Sequence, residues 1–205
     1  MKKIKNLSKL MFAALLAVLI SSCLNEDNDP QQKIDVKYYK YVSGNYTGKV
    51  EYFTGKDNKE RKTEEGVKIA VTPDSTMKIT GIPAAVFAKN ISDEKIRIAI
   101  NAQPNPEFSV RFLIYSIGSK GISMFVQPLP IDFKGIMVDG KKHDYTINFH
   151  VPSFAFSTPS YKNLSLTAFM GKLLEDGKEK ENFIPYSKDI NESVTIYIDG
   201  NRDSK

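Results

Sequence analysis

One pattern limits what this chain can fold into: apolar residues recur at every second position, in short runs separated by turn residues. Tyr145, Ile147, Phe149 and Val151 form the clearest run, with Thr146, Asn148 and His150 between them. Val67, Ile69 and Val71 alternate with Lys68, Ala70 and Thr72; Pro73-Asp74-Ser75 then supplies a turn, and Met77 and Ile79 begin a return. Successive side chains of a β-strand point to opposite faces, so a period of two marks a strand with one face against a core. A short turn between two such runs makes a hairpin.

The same rhythm recurs along the chain. Residues 44–53 carry Tyr46, Val50 and Tyr52 among small and polar neighbours, and Ile96, Ile98 and Ile100 alternate with Arg97 and Ala99. Both stretches are expected to be strands. Phe108, Val110, Phe112 and Ile114 repeat the alternation, but Leu113, Tyr115 and Ile117 make the opposite face apolar too. That strand is expected to be covered on both faces. Ile122, Met124 and Val126 follow a Gly118–Gly121 turn and stop at Pro128 and Pro130. Asp139-Gly140 has the composition of a hairpin turn. Leu164, Leu166 and Ala168 run to a turn at Glu175-Asp176-Gly177, and Val194, Ile196 and Ile198 close the body. One segment breaks the rhythm: Pro83, suited to the first position of a helix, introduces the alanine-rich residues 84–91. The sum is about eight to ten short strands with no βαβ alternation, which predicts a mainly β domain. Its architecture would be an antiparallel β-barrel or β-sandwich with one or two short helices.

The first thirty residues follow different rules. A basic stretch, MKKIKNLSK, precedes the 11 apolar residues Leu10 to Ile20. That run is shorter than the roughly 20 residues a membrane-spanning helix needs. Basic, apolar and small residues in this order mark a secretory signal. Leu19 to Cys23 read LISSC, and Cys23 is the 1 cysteine of the 205 residues. The stretch resembles a bacterial lipoprotein lipobox, which implies cleavage before Cys23 and acylation of that residue. Two or more acyl chains anchor stably, because each buried methylene adds about 0.8 kcal/mol. Glu26, Asp27 and Asp29 follow closely, and resemble the acidic signal that sends Bacteroidetes lipoproteins to the outer face of the outer membrane. The expected organisation is a signal peptide over 1–22, a lipidated cysteine and polar tether over 23–40, and a single β-domain over 41–205.

Removing the signal changes the charge. The chain carries 29 Lys and Arg against 24 Asp and Glu, but Lys2, Lys3, Lys5 and Lys9 all fall within the signal. The remainder is near neutral and gives no electrostatic basis for binding nucleic acid. With Cys23 lipidated, no thiol is left for a disulfide, a nucleophile or a soft metal site.

In the body, GNYTGKV followed by VKIAVTPDSTMKITGIP is similar to the opening of small Bacteroidetes lipoprotein domains described as lipocalin-like or calycin-like. The similarity covers Gly44 to Pro83. It implies a barrel or strongly bent meander, with an apolar interior and no established site residues.

Motifs for catalysis are absent: no G-x-S-x-G, H-E-x-x-H or Cys-His spacing occurs. The 2 histidines, His143 and His150, lie an odd distance apart and would face opposite ways on a regular strand. The acids at 26, 27 and 29 lack the glycine turn and distal glutamate of a calcium loop. No cofactor is expected. Asp74-Ser75-Thr76 resembles the short O-glycosylation signal of exported Bacteroidetes proteins, which would modify Ser75. Tyr38, Tyr39, Tyr41, Tyr46 and Tyr52 crowd the start of the domain, and tyrosine offers both a stacking face and a polar tip. The expected function is a non-enzymatic binding or accessory module held at the outer membrane, displayed on the cell surface, for a small apolar ligand or a partner protein. The alternative is a structural or adhesin-like surface subunit.

Overall fold

The computed structural model describes residues 34–54, 60–151, 153–183 and 195–204. Among them the chain runs as helix α1 (Lys37–Val42), strands β1 (Gly44–Thr54), β2 (Glu60–Thr72) and β3 (Thr76–Thr80), then helices α2 (Ala84–Ala88) and α3 (Glu94–Asn101). Strands β4 (Phe108–Gly118), β5 (Gly121–Pro128), β6 (Ile131–Val138), β7 (Lys141–Phe149), β8 (Ser153–Ser157), β9 (Asn163–Glu175), β10 (Lys178–Asn182) and β11 (Thr195–Arg202) complete it.

Eight of these strands form a ring. β1, β2, β3, β4, β5, β8, β9 and β11 pair in that order, and β11 returns to β1, every pair antiparallel. The choice left open between barrel and sandwich resolves to a closed barrel. At the β1–β11 seam Gly48 lies opposite Gly200. A Cβ on Gly48 would fall 1.8 Å from the Asp199 carbonyl oxygen, so a side chain there would hold the seam open.

β9 also builds a second sheet. Its residues 163–169 pair with β11 inside the barrel, while residues 170–175 pair with β7 and residues 172–175 with β10. The β6–β7 hairpin, turned at Asp139-Gly140 with φ of 50° and 77°, adds the outer strand. Asp176-Gly177 turns β9 into β10 with φ of 51° and 76°. Both turns have the paired positive φ that favours Asp-Gly in tight hairpins.

The alternating residues fill the interior. Val50, Val67, Ile69, Met77, Ile79, Phe108, Val110, Met124, Leu164, Leu166, Ile196 and Ile198 are buried, as expected for an eight-stranded barrel whose lumen is occupied by side chains. Phe87 of α2 packs on Phe108 and Phe149 at ring separations of 5.8 and 6.4 Å, carrying the core out beneath the helices. α1 lies across the expected 40/41 boundary, with Tyr39 stacked on Phe112 at 5.7 Å and Val42 fully buried.

Two expectations are corrected. Residues 96–100 form helix α3, not a strand, which brings the short helices among the described residues to three. The Asp93 carboxylate caps this helix, accepting from the N–H groups of Lys95 at 3.0 Å and Ile96 at 3.3 Å. Ile96 and Ile100, one helical turn apart, are buried while Ile98 faces water, the reverse of strand alternation. β4 is also not covered on both faces, since Leu113 and Tyr115 are exposed. The proline-flanked residues 152–159 contain β8, which closes the ring, and the charged KEKEN of β10 is a strand that alternation does not reveal.

Candidate functional site

The outer wall carries an unusual row of side chains, placed by strand register. Leu113 on β4 lies opposite Phe125 on β5, Phe125 opposite Phe154 on β8, and Phe154 opposite Thr167 on β9. Thr167 then faces Tyr197 on β11, and Tyr197 faces Glu51 on β1. A parallel row two residues along runs Ser123, Phe156, Ser165, Asp199 and Lys49.

The β4–β5–β8 part of this wall is apolar and open. Leu113, Tyr115, Phe125, Phe154 and Phe156 are each 37% to 53% exposed. Tyr115 stacks on Phe125 with ring centroids 4.1 Å apart, and Phe125 tilts against Phe154 at 5.9 Å. Scattered exposed apolar residues are ordinary; here Tyr115, Phe125 and Phe154 are neighbours and form one contiguous exposed patch.

Beyond β9 the wall turns polar. A groove of about 360 Å³ is lined by Glu51, Arg61, Ser165, Thr167, Tyr197 and Asp199. Glu51 is only 6% exposed although it points outward from the barrel, because Lys49 and Arg61 cover it. Lys49 Nζ lies 2.6 Å from its carboxylate and the Arg61 guanidinium donates to the other oxygen. These two hydrogen bonds hold the Glu51 carboxyl below the usual range and keep it ionised.

Two other grooves have less defined chemistry. One, of about 580 Å³, runs past Thr47, Lys68, Lys78, Glu107 and Asp203. The other, of about 440 Å³, passes Asp132, Lys134, Asp144, Thr146 and Asp176 on the second sheet. His143 Nδ1 sits 2.8 Å from Asp176 Oδ2 beside it, and the Asp144 backbone N–H, then His143, lower the Asp176 carboxyl. Among the described residues no group of three or more His, Cys, Asp and Glu is arranged to hold a metal ion.

The residues singled out from the sequence are dispersed. Cys23 and the acids at 26, 27 and 29 lie outside the described residues. Ser75 occupies the β2–β3 turn at φ 68°, half-buried, its carbonyl accepting from Phe112 N–H at 2.9 Å. His150 contacts the Phe183 carbonyl at 3.4 Å, away from the His143 partners. The five tyrosines do not form one platform. Tyr46 and Tyr52 are buried, Tyr39 supports α1, and Tyr41 stacks on Tyr161 at 5.3 Å. Tyr52, hydrogen-bonded to Glu64, is pushed up to about 12, by burial first and by Glu64 second.

Sequence reasoning missed Phe125, Phe154, Phe156 and Tyr197. A usable signal was present in SFAFS, where β8 inverts the usual alternation. Small Ser153, Ala155 and Ser157 point inward and the two phenylalanines outward.

Residues 41–174 match the model of a family described as a domain of unknown function, DUF4840. The match runs from α1 nearly to the end of β9, leaving β10 and β11 beyond it. No curated protein and no solved structure matches the chain.

Proposed function

We propose, from the premise that this chain belongs to the DUF4840 family, that it is a lipid-anchored, non-enzymatic binding module at the outer membrane that engages a partner protein on its outer wall. The observation carrying this reading is the aromatic row over β4, β5 and β8, which an isolated soluble barrel has no reason to leave in water. The small apolar ligand is the less favoured occupant, because inward side chains from all eight strands crowd the lumen. The structural-subunit alternative rests on the outer strands of the second sheet, β6 and β10, each paired on one side among the described residues. There β10 presents Lys178, Glu179, Lys180 and Glu181, and charged edges of this kind discourage strand addition.

Anchoring and engagement are tested together in the native host. Intact-mass analysis is expected to show a chain beginning at Cys23 with its acyl adduct, and Cys23→Ala is expected to leave the membrane fraction. A photo-crosslinking residue at position 125 or 154 is expected to trap one discrete adduct, with none from position 68. An unacylated chain would remove the anchor, and equal trapping from all three positions would remove the docking face.

A further inference from the structure

We propose that the polar groove across β9, β11 and β1 is a binding site for a neutral saccharide. Its volume of about 360 Å³ lies within the range of small-ligand sites, and its floor is an open wall rather than an enclosed cavity. Each saccharide hydroxyl both donates and accepts, so a complementary site must offer both functions at short spacing. The groove does so. Asp199 accepts, the Arg61 guanidinium donates, and the hydroxyls of Ser165, Thr167 and Tyr197 do either, while the covered Glu51 carboxylate holds Arg61 in place.

Charge favours a neutral ligand. Lys49 and Arg61 are interleaved with Glu51, Asp199 and, across the β1–β2 pair, Glu65, and the Glu51 carboxylate is fixed between the two cations. An anionic ligand therefore gains no net attraction and a cation finds the Glu51 carboxylate already covered, while dipolar hydroxyls meet groups already oriented. Rings at the margins supply the rest. Tyr197 stands within the groove, while Phe154 and Phe156 lie directly across from Thr167 and Ser165. The C–H faces of a sugar ring pack on such aromatic faces.

The alternatives fit less well. Within the barrel, β9 and β11 are each paired on both sides here, so an extended peptide finds no free strand edge to join. A lipid chain would have to cover an ionised carboxylate and a guanidinium, at a desolvation cost without compensation. This site shares its margin, Phe154 and Phe156, with the protein-docking row proposed above, but it rests on the groove's own polar residues, and the variants below alter those alone.

The test is native affinity electrophoresis of the full-length chain in detergent, in gels containing glycogen, mixed-linkage β-glucan or yeast mannan, with chondroitin sulfate as the anionic control. At least one neutral polymer is expected to retard the parent chain while chondroitin sulfate does not. The double variant Ser165→Ala/Thr167→Val, nearly isosteric on a strand, is expected to weaken retardation at least about fivefold, the loss of roughly one hydrogen-bonded contact. Tyr197→Ala should do the same, with unfolding midpoints recorded to confirm both variants fold. Met137→Ser, exposed on β6 of the second sheet and outside both the groove and the aromatic row, should leave retardation unchanged. The proposal is overturned if no neutral polymer retards the parent, if only chondroitin sulfate does, or if the double variant migrates like the parent.

Discussion

At the scale of single residues, Lys89 shows how the fold sets a charge against its surroundings. It follows α2, half-buried, with Nζ 5.5 Å from the centre of the Tyr52 ring. Burial lowers it from 10.5 to about 8. Between those values the unfolded chain holds a proton that the folded chain has released, so stability rises with pH through that window. Below about pH 8 the folded state carries the buried ammonium at full cost. Lys89→Met keeps the aliphatic stem and removes the charge. It is expected to exceed the parent by on the order of 1–2 kcal/mol at pH 7, with the gap narrowing toward pH 10. Urea unfolding at the two pH values measures this, and a gap that widened with pH would contradict it. Single residues were also where sequence reading was weakest. Glu51 looks like any outward strand acid until β2 delivers Arg61 above it, and no local pattern announces that meeting.

At the scale of elements, period-two alternation located β2, β3, β5, β7 and β9 because each has one apolar face. It failed where a helix imitates it. In EKIRIAIN the isoleucines sit two apart, and only Asp93 ahead of them reveals that the backbone turns. Four residues separate Ile96 from Ile100, which suits a helical face as well as a strand face. The cap therefore settles the choice. Asp93→Ala is expected to cost about 1 kcal/mol and to loosen the exchange protection of Ile96 and Arg97 amides before that of the barrel strands. Hydrogen-exchange rates at those amides provide the measurement. β8 failed for a different reason. Its buried residues are small and its exposed ones large, so hydrophobicity points to the wrong face. The barrel interior beside it is supplied by Ile122, Leu164 and Leu166, whose side chains leave room only for small partners.

At the scale of the whole molecule, the mainly β class was legible from rhythm alone, but closure was not. Ring formation depends on β11 meeting β1 more than 140 positions away, a pairing that leaves no local trace. The double role of β9 was equally hidden, because LSLTAFMGKLL reads as one strand and not as a strand shared by two sheets. That sharing is expected to make the two sheets unfold together. Leu173, on the β7 side of β9, is fully buried. Leu173→Ala is expected to cost about 2–4 kcal/mol and to lower the midpoint of a single transition. A second, earlier transition in thermal or urea unfolding would show the outer sheet to be independent.

The seam at β1 has a mechanical consequence. Helix α1 leads straight into β1, and Arg202 at the far end of β11 donates to the carbonyls of Tyr41 and Ser43. A load entering through α1 would meet the Tyr39–Phe112 stacking and the Arg202 clamp before it reached the first residues of β1. There β1 is held by β11 on one side and by β2 on the other, in antiparallel ladders that run most of its length. A strand pulled lengthwise between two neighbours loads its hydrogen bonds together in shear, whereas a strand peeled from an edge breaks them in turn. At β1, two ladders share whatever load the clamp lets through.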